Sequence, residues 1–192
     1  MKKIAITGGI GSGKSTVAAI IAKETSFPVF SADRVYAELV EDPEFLQGLC
    51  RALSCNVLTP EGKLDRQKLS RLTFGNSELR QNLNAYTHPA VMDQLDRLME
   101  ESKSPVAYAE VPLLFEGGFD SRFHEVIVVF RDREARIRAV MARSGLTRAQ
   151  VTERMDAQFN YDNLRRNEYT VIENNGNLDS LRSAVLAVIH EK

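Results

Sequence analysis

The chain has 192 residues, 25 Lys and Arg against 26 Asp and Glu, a net charge of -1, and 43% apolar residues with no tryptophan, the balance of a soluble globular protein. This length exceeds one minimal domain and falls short of two ordinary ones, so one compact core carrying an insertion is expected. A net charge near zero supplies no global field for a polyanion, which disfavours bulk nucleic acid and membrane surfaces as partners.

Two cysteines, Cys50 and Cys55, and three scattered histidines, His88, His124 and His190, supply neither a disulfide framework nor a four-ligand zinc site. The thiols are expected to be reduced and packed among helices. Behind the basic start Met1-Lys2-Lys3 the apolar run stops at Thr7-Gly8-Gly9, too short for a signal-peptide core, and no membrane-length apolar stretch occurs. A cytoplasmic protein is expected, with its oligomeric state open.

In chain order, a first strand is predicted from Lys3 to Thr7. It runs into Gly8-Gly9-Ile10-Gly11-Ser12-Gly13-Lys14-Ser15, which satisfies G-x-x-x-x-G-K-[ST], and then into a helical pattern from Thr16 to Lys23. Glycines let the backbone curl so that successive amides and a helix N-terminus converge on a polyphosphate. Gly11, Ser12, Gly13, Lys14, Ser15 and Thr16 are therefore the expected nucleotide-binding residues. Lys14 would face the β- and γ-phosphates, the Ser15 hydroxyl would take Mg²⁺, and Thr16 would reach the α-phosphate. No Asn-Lys pair occurs anywhere to read guanine, so ATP is the expected nucleotide.

A second strand from Pro28 to Ser31 ends just before Asp33. A carboxylate at the C-terminal end of such a strand is placed to take the proton of an attacking hydroxyl; the alternative is an N-cap for a helix beginning at Arg34. More than seventy residues then pass before the third strand, Val106 to Glu110, far more than a crossover needs. Asp42-Pro43, Thr59-Pro60-Glu61-Gly62 and His88-Pro89 punctuate this stretch. Helical spacing recurs at Phe45, Leu46, Leu49 and Leu53 and again at Val91, Leu95, Leu98 and Met99, which predicts a grafted helical subdomain. Glu110 would hold Mg²⁺ through water or serve only as a solvated strand end.

After a fourth strand, Glu125 to Phe130, the segment from Arg131 to Arg166 carries nine arginines against five acids, a surplus of +4 in a chain of net -1. Arginine suits bidentate phosphate clamping. Arg136 and Arg143 would share a helix face, Glu134 and Arg138 would pair at i,i+4, and Arg143, before the Gly145 bend, is the candidate to reach the transferring phosphate from a mobile lid. Asp132 is an expected N-cap, and Thr147 to Gln150 fits a capping box. A fifth strand, Thr170 to Ile172, and a last helix with Leu178, Leu181, Val185 and Ile189 on one side complete an α/β fold with a parallel sheet flanked by helices.

These residues resemble the dephospho-CoA kinase family. The resemblance is carried by Ile6 to Thr16, Ala32-Asp33, Gly62-Lys63-Leu64-Asp65-Arg66 with Leu69 and Phe74, Asn84 to Pro89, Val111-Pro112-Leu113-Leu114-Phe115-Glu116, Arg154 to Gln158 and Val171 to Gly176. It implies a P-loop kinase with a five-stranded parallel core (1–33 and 105–192), a helical CoA-binding insertion (about 34–104) and a lid (about 131–166). The implied reaction is ATP-dependent phosphorylation of the ribose 3′-hydroxyl of dephospho-CoA, the last step of coenzyme A biosynthesis. The resemblance makes Asp33 the base, places His88, Pro112 and Leu113 around the acceptor nucleotide, and sets Asn174 to Gly176 near the adenine. His88 has a structural alternative, as a cap on the adjoining helix. The chain departs from the family pattern at Ser31, Glu110, Ala139 and Glu168-Tyr169. Two other classes fit parts of the sequence: a P-loop kinase of nucleosides or sugars, and a nucleotide-binding regulatory protein.

Overall fold

The computed structural model describes residues 1–164 and 168–190. Strand β1 (Lys2–Thr7) leads through the glycine loop into α1 (Lys14–Glu24), and β2 (Val29–Ser31) into α2 (Ala32–Leu39). Helices α3 (Pro43–Ala52), α4 (Arg66–Thr73) and α5 (Ser77–Glu101) precede β3 (Val106–Glu110) and β4 (Glu125–Phe130). Helices α6 (Arg133–Ser144) and α7 (Arg148–Asp156), β5 (Thr170–Glu173) and α8 (Leu178–His190) follow. The chain divides into two compact units, Met1–Ser31 with Leu98–Lys192, and Ala32–Arg97.

In the first unit the strands pair in parallel in the order β2-β3-β1-β4-β5. Ile4, Ile6, Tyr108, Ile127, Val129 and Ile172 are buried with Val17 and Ile21 of α1 and Leu181 and Val185 of α8. Strands apolar on successive residues are what a sheet covered on both faces requires. The register sets Ile6 beside Glu110 and Ser31 beside Glu110, so the loop leaving β1 starts next to the end of β3. Leu178 departs from the expected apolar side of α8: as the helix's first residue it is 63% exposed, while Leu181 and Val185 carry the packing.

The second unit is helical. Phe45, Leu46, Leu49 and Leu53 of α3 and its C-terminus are buried with Val40, Val57 and Leu69. Asp42 caps α3 through the Glu44 amide, and Asp65 caps α4 through the Lys68 amide. The expected break at His88-Pro89 does not occur, because α5 runs unbroken from Ser77 to Glu101 with Pro89 inside it. A proline there removes one helical bond, at a cost of about 3 kcal/mol. That is offset by apolar residues on both sides of it: Leu79, Leu83 and Tyr86 lie against the cluster of α3, and Val91, Leu95 and Met99 are buried further along. His88 is therefore interior to a helix and is not a cap.

Asp33 likewise lies inside the first turn of α2, which begins at Ala32, so it is not the N-cap residue. A carboxylate in that first turn is still favoured by the helix dipole. Cys50 and Cys55 are free thiols, half-buried at the C-terminal end of α3.

Candidate active site

The loop between β1 and α1 takes the shape its glycines allow. Gly13, the N-cap of α1, has φ 99, and a side chain there would meet Asn174 Nδ2 at 2.4 Å. Asn174 uses that closeness: its buried amide donates to the Ser12 carbonyl at 2.8 Å. The Asn174 amide nitrogen in turn donates to the Phe130 carbonyl at 2.8 Å, which ties the loop to the end of β4. A residue that the resemblance set near an adenine thus also fixes the loop backbone.

Ser15 and Thr16 are exposed at the start of α1, where the first helical amides lack intrahelical partners and favour an anion. Lys14 is folded over the loop, its Nζ donating to the Gly9 carbonyl at 3.4 Å. The Ser15 hydroxyl donates to Glu110 Oε1 at 2.7 Å. Glu110, at the end of β3, thus reaches the helix start directly. Among the described residues no group of three or more His, Cys, Asp or Glu could hold a metal alone. A hydroxyl and a carboxylate side by side still fit Mg²⁺, which takes a few protein oxygens and completes its shell with phosphate and water.

The arginine segment divides by burial. Arg136 is 6% exposed, and its Nη1 lies 2.1 Å from where a Gly9 side chain would begin, so a side chain there would have to displace the guanidinium. Arg131 Nη1 donates to the Gly11 carbonyl at 3.5 Å. Arg143 is exposed in the last turn of α6, its Nε donating to Ser144. Arg136 and Arg143, seven apart on α6, thus differ in burial: α6 lies against the loop as far as Val140, and Arg143 stands beyond it in the helix's last turn. Glu134 pairs with Arg148 of α7 instead of Arg138, and this hydrogen-bonded partner holds its carboxyl below the ordinary range.

Gly145 ends α6 at φ 65, and Thr147 with Gln150 forms the full capping box of α7. Asp132 stands at the N-cap of α6 but exchanges hydrogen bonds with the Asn175 side chain instead of capping through its own. Arg165 and Arg166 lie outside the described residues.

The turn after β3 places Pro112 half-buried and Leu113 38% exposed, over a fully buried Leu114. Phe115 sits among Phe159, Tyr161 and Tyr169, with ring centroids 4.8, 6.0 and 5.2 Å away. The departure at Tyr169 is thus one wall of an aromatic cluster. Tyr161, 4% exposed, shares a 3.2 Å hydrogen bond with Thr7 Oγ1. Burial pushes its phenol up to about 12, opposed by that bond and by the Gly8 backbone. Gln158 Oε1 accepts from the Ile10 amide at 2.8 Å. The sequence placed Gln158 in a segment of the resemblance and both residues in the expected lid, but gave neither a tie to the loop, since no local pattern links a glycine loop to residues some 150 positions later. Asp33 and His88 belong to the second unit, Asp33 exposed on α2 and His88 half-buried on α5.

A parallel sheet with a phosphate loop at the C-terminal end of its central strand, followed by an exposed hydroxyl and a carboxylate, defines a P-loop kinase. The family model CoaE, dephospho-CoA kinase, matches residues 2–180. A dephospho-CoA kinase of Thermus thermophilus is 40% identical over 188 residues, 98% of this chain and 90% of that protein. The crystal structure of TT1252 from Thermus thermophilus superposes with a TM-score of 0.83 at 39% identity, covering 99% of this chain and 97% of that one. Dephospho-CoA kinase from Campylobacter jejuni gives 0.64 at 26% identity, over 99% and 96%. The chain belongs to the dephospho-CoA kinase family.

Proposed function

We propose that the chain carries out its family's reaction, ATP-dependent phosphorylation of dephospho-CoA in coenzyme A biosynthesis, by delivering the γ-phosphoryl from the Gly8 to Thr16 loop to the ribose 3′-hydroxyl, with Asp33 as base. The observation that carries this is the loop itself: Ser15 and Thr16 exposed at the start of α1, Lys14 folded across it, and the Ser15 and Glu110 oxygens 2.7 Å apart beside it.

Gly11, Ser12, Gly13, Lys14, Ser15 and Thr16 hold the triphosphate. Lys14 exchanges the Gly9 carbonyl for phosphate oxygens. Ser15 and Glu110 would hold Mg²⁺, which would supply charge neutralisation to the phosphates. Asp33 accepts the proton of the 3′-hydroxyl as its oxygen bonds to phosphorus, and the bond to the β-phosphate oxygen breaks to leave ADP. Arg143 meets the charge that spreads over the equatorial oxygens. His88, Pro112 and Leu113 surround the acceptor nucleotide.

In this proposal 1–33 and 105–192 are the nucleotide-binding core, about 34–104 the CoA-binding insertion and about 131–166 the lid. Among the described residues no helix is long and apolar enough to cross a membrane. A cytoplasmic location, where ATP is made and used, is part of the same proposal. The test is ADP release with dephospho-CoA as acceptor, read with product mass. A product heavier by one phosphoryl group supports the proposal. A better acceptor among nucleosides or sugars, or ATP binding with no ADP formed, overturns it.

A further inference from the structure

Gln158, Phe159 and Tyr161 divide between two loops of the first unit. Gln158 Oε1 accepts from the Ile10 amide at 2.8 Å. Phe159 turns the other way, its amide donating to Glu116 Oε1 at 2.9 Å and its ring 4.8 Å from that of Phe115. Tyr161 returns to the phosphate loop through Thr7 at 3.2 Å, with its ring edge 3.5 Å from where a Gly9 side chain would begin.

Ile10 lies in the middle of the loop motif, yet its amide proton goes to Gln158, and the Ser12 amide goes back to the Gly9 carbonyl at 3.1 Å. These two donors shape the loop from within and from behind, next to the exposed start of α1 at Ser15 and Thr16. A loop fixed before its anion arrives spends no binding free energy on ordering. Without the Gln158 acceptor the Ile10 amide would find another partner, the loop would populate other shapes, and nucleotide affinity would fall by the fraction lost.

We propose that Gln158 and Tyr161 are positioning residues for the donor nucleotide, holding the phosphate loop in its binding shape from the segment that follows α7. This rests on the reading that the Gly8 to Thr16 loop binds ATP. Neither side chain is assigned contact with substrate; both act through the loop backbone.

The test is calorimetry of the full chain with a non-hydrolysable ATP analogue plus Mg²⁺ and, separately, with dephospho-CoA. Gln158→Leu is expected to weaken the analogue about tenfold, the scale of one lost hydrogen bond. Tyr161→Phe, which keeps the ring, should weaken it about threefold. Both variants should hold dephospho-CoA within about twofold of wild type and raise KM for ATP more than they lower kcat. In amide NMR the analogue should move Gly13 and Lys14 strongly and Ile10 little. Unchanged analogue affinity in the folded variants overturns the proposal, and so does equal weakening of both ligands, which marks general loosening. Should Gln158→Leu fail to fold, Tyr161→Phe decides. Failure of wild type to bind the analogue, or wild-type binding by Lys14→Ala, instead sinks the nucleotide-site reading itself.

Discussion

The two units hold their functional residues in different ways. In the first, the proposed donor-site residues lie on loops at the C-terminal ends of strands, and the phosphate loop is pinned by Gln158, Tyr161 and Asn174, partners far along the chain. In the second, Asp33 rides on α2 and His88 on α5, and the unit's helix starts are fixed by near neighbours: Asp42 on Glu44 for α3, Asp65 on Lys68 for α4, Asn76 on Leu79 for α5. There the helices meet over one apolar cluster, with the Tyr86 hydroxyl donating to the Phe45 carbonyl at 3.0 Å as a polar tie. A loop that must curl around an anion cannot hold that shape by local bonds alone. A carboxylate on a helix needs only the helix.

The largest expected effect probes the division of labour. Asp33→Asn should cut turnover by about 10² to 10⁴, the range for losing a general base, and leave ATP-analogue affinity near wild type. If analogue binding fell as far as turnover, donor and acceptor chemistry would not be separable between the units. Next in size, Leu49→Ala, at a fully buried position of the helical cluster, should cost about 2–5 kcal/mol in urea melts. Amide exchange should then quicken within 32–97 while the strands stay protected; uniform quickening would mean the units unfold as one.

A smaller, pH-dependent effect belongs to the first unit alone. The Tyr161 phenol, pushed up to about 12 from 10.0, keeps its proton in the folded chain where the unfolded chain has released it. Its stabilisation is complete below pH 10 and is lost as pH rises towards 12, at most about 3 kcal/mol. Urea melts across this window should fall more steeply for wild type than for Tyr161→Phe, and parallel curves would remove the phenol from the account. The smallest effect tests the local fixing of the second unit. Asp65→Ala should cost about 1 kcal/mol through the lost cap and leave ATP-analogue affinity untouched, and a change in that affinity would tie α4 to the donor site.

Much of this was legible because it is written in short windows of sequence. All five strands fall within a residue or so of their expected bounds, since runs such as Val-Ile-Val-Val in β4 state burial directly. The phosphate loop was legible because its residues follow one short motif, with Gly8, Gly11 and Gly13 at positive φ, and the capping box of α7 because its two partners lie three residues apart. Three local signals misled. Pro89 signalled a break that packing on both sides of it overrode, Glu134 paired with Arg148 across two helices instead of along one, and Leu178 kept its apolar spacing but lies exposed at a helix start.

By itself, then, the sequence determined the α/β class, the phosphate loop and the helical nature of the insertion, because each depends on periodicity or on residues within a few positions of one another. Only the tertiary structure decided the strand order, the burial of Arg136 against Gly9 while Arg143 stays in solvent, and the hold of Gln158, Tyr161 and Asn174 on the loop. The physical reason is distance along the chain. A hydrogen bond between residues 150 positions apart leaves no period in the sequence, and it forms only once the sheet has brought its two ends together.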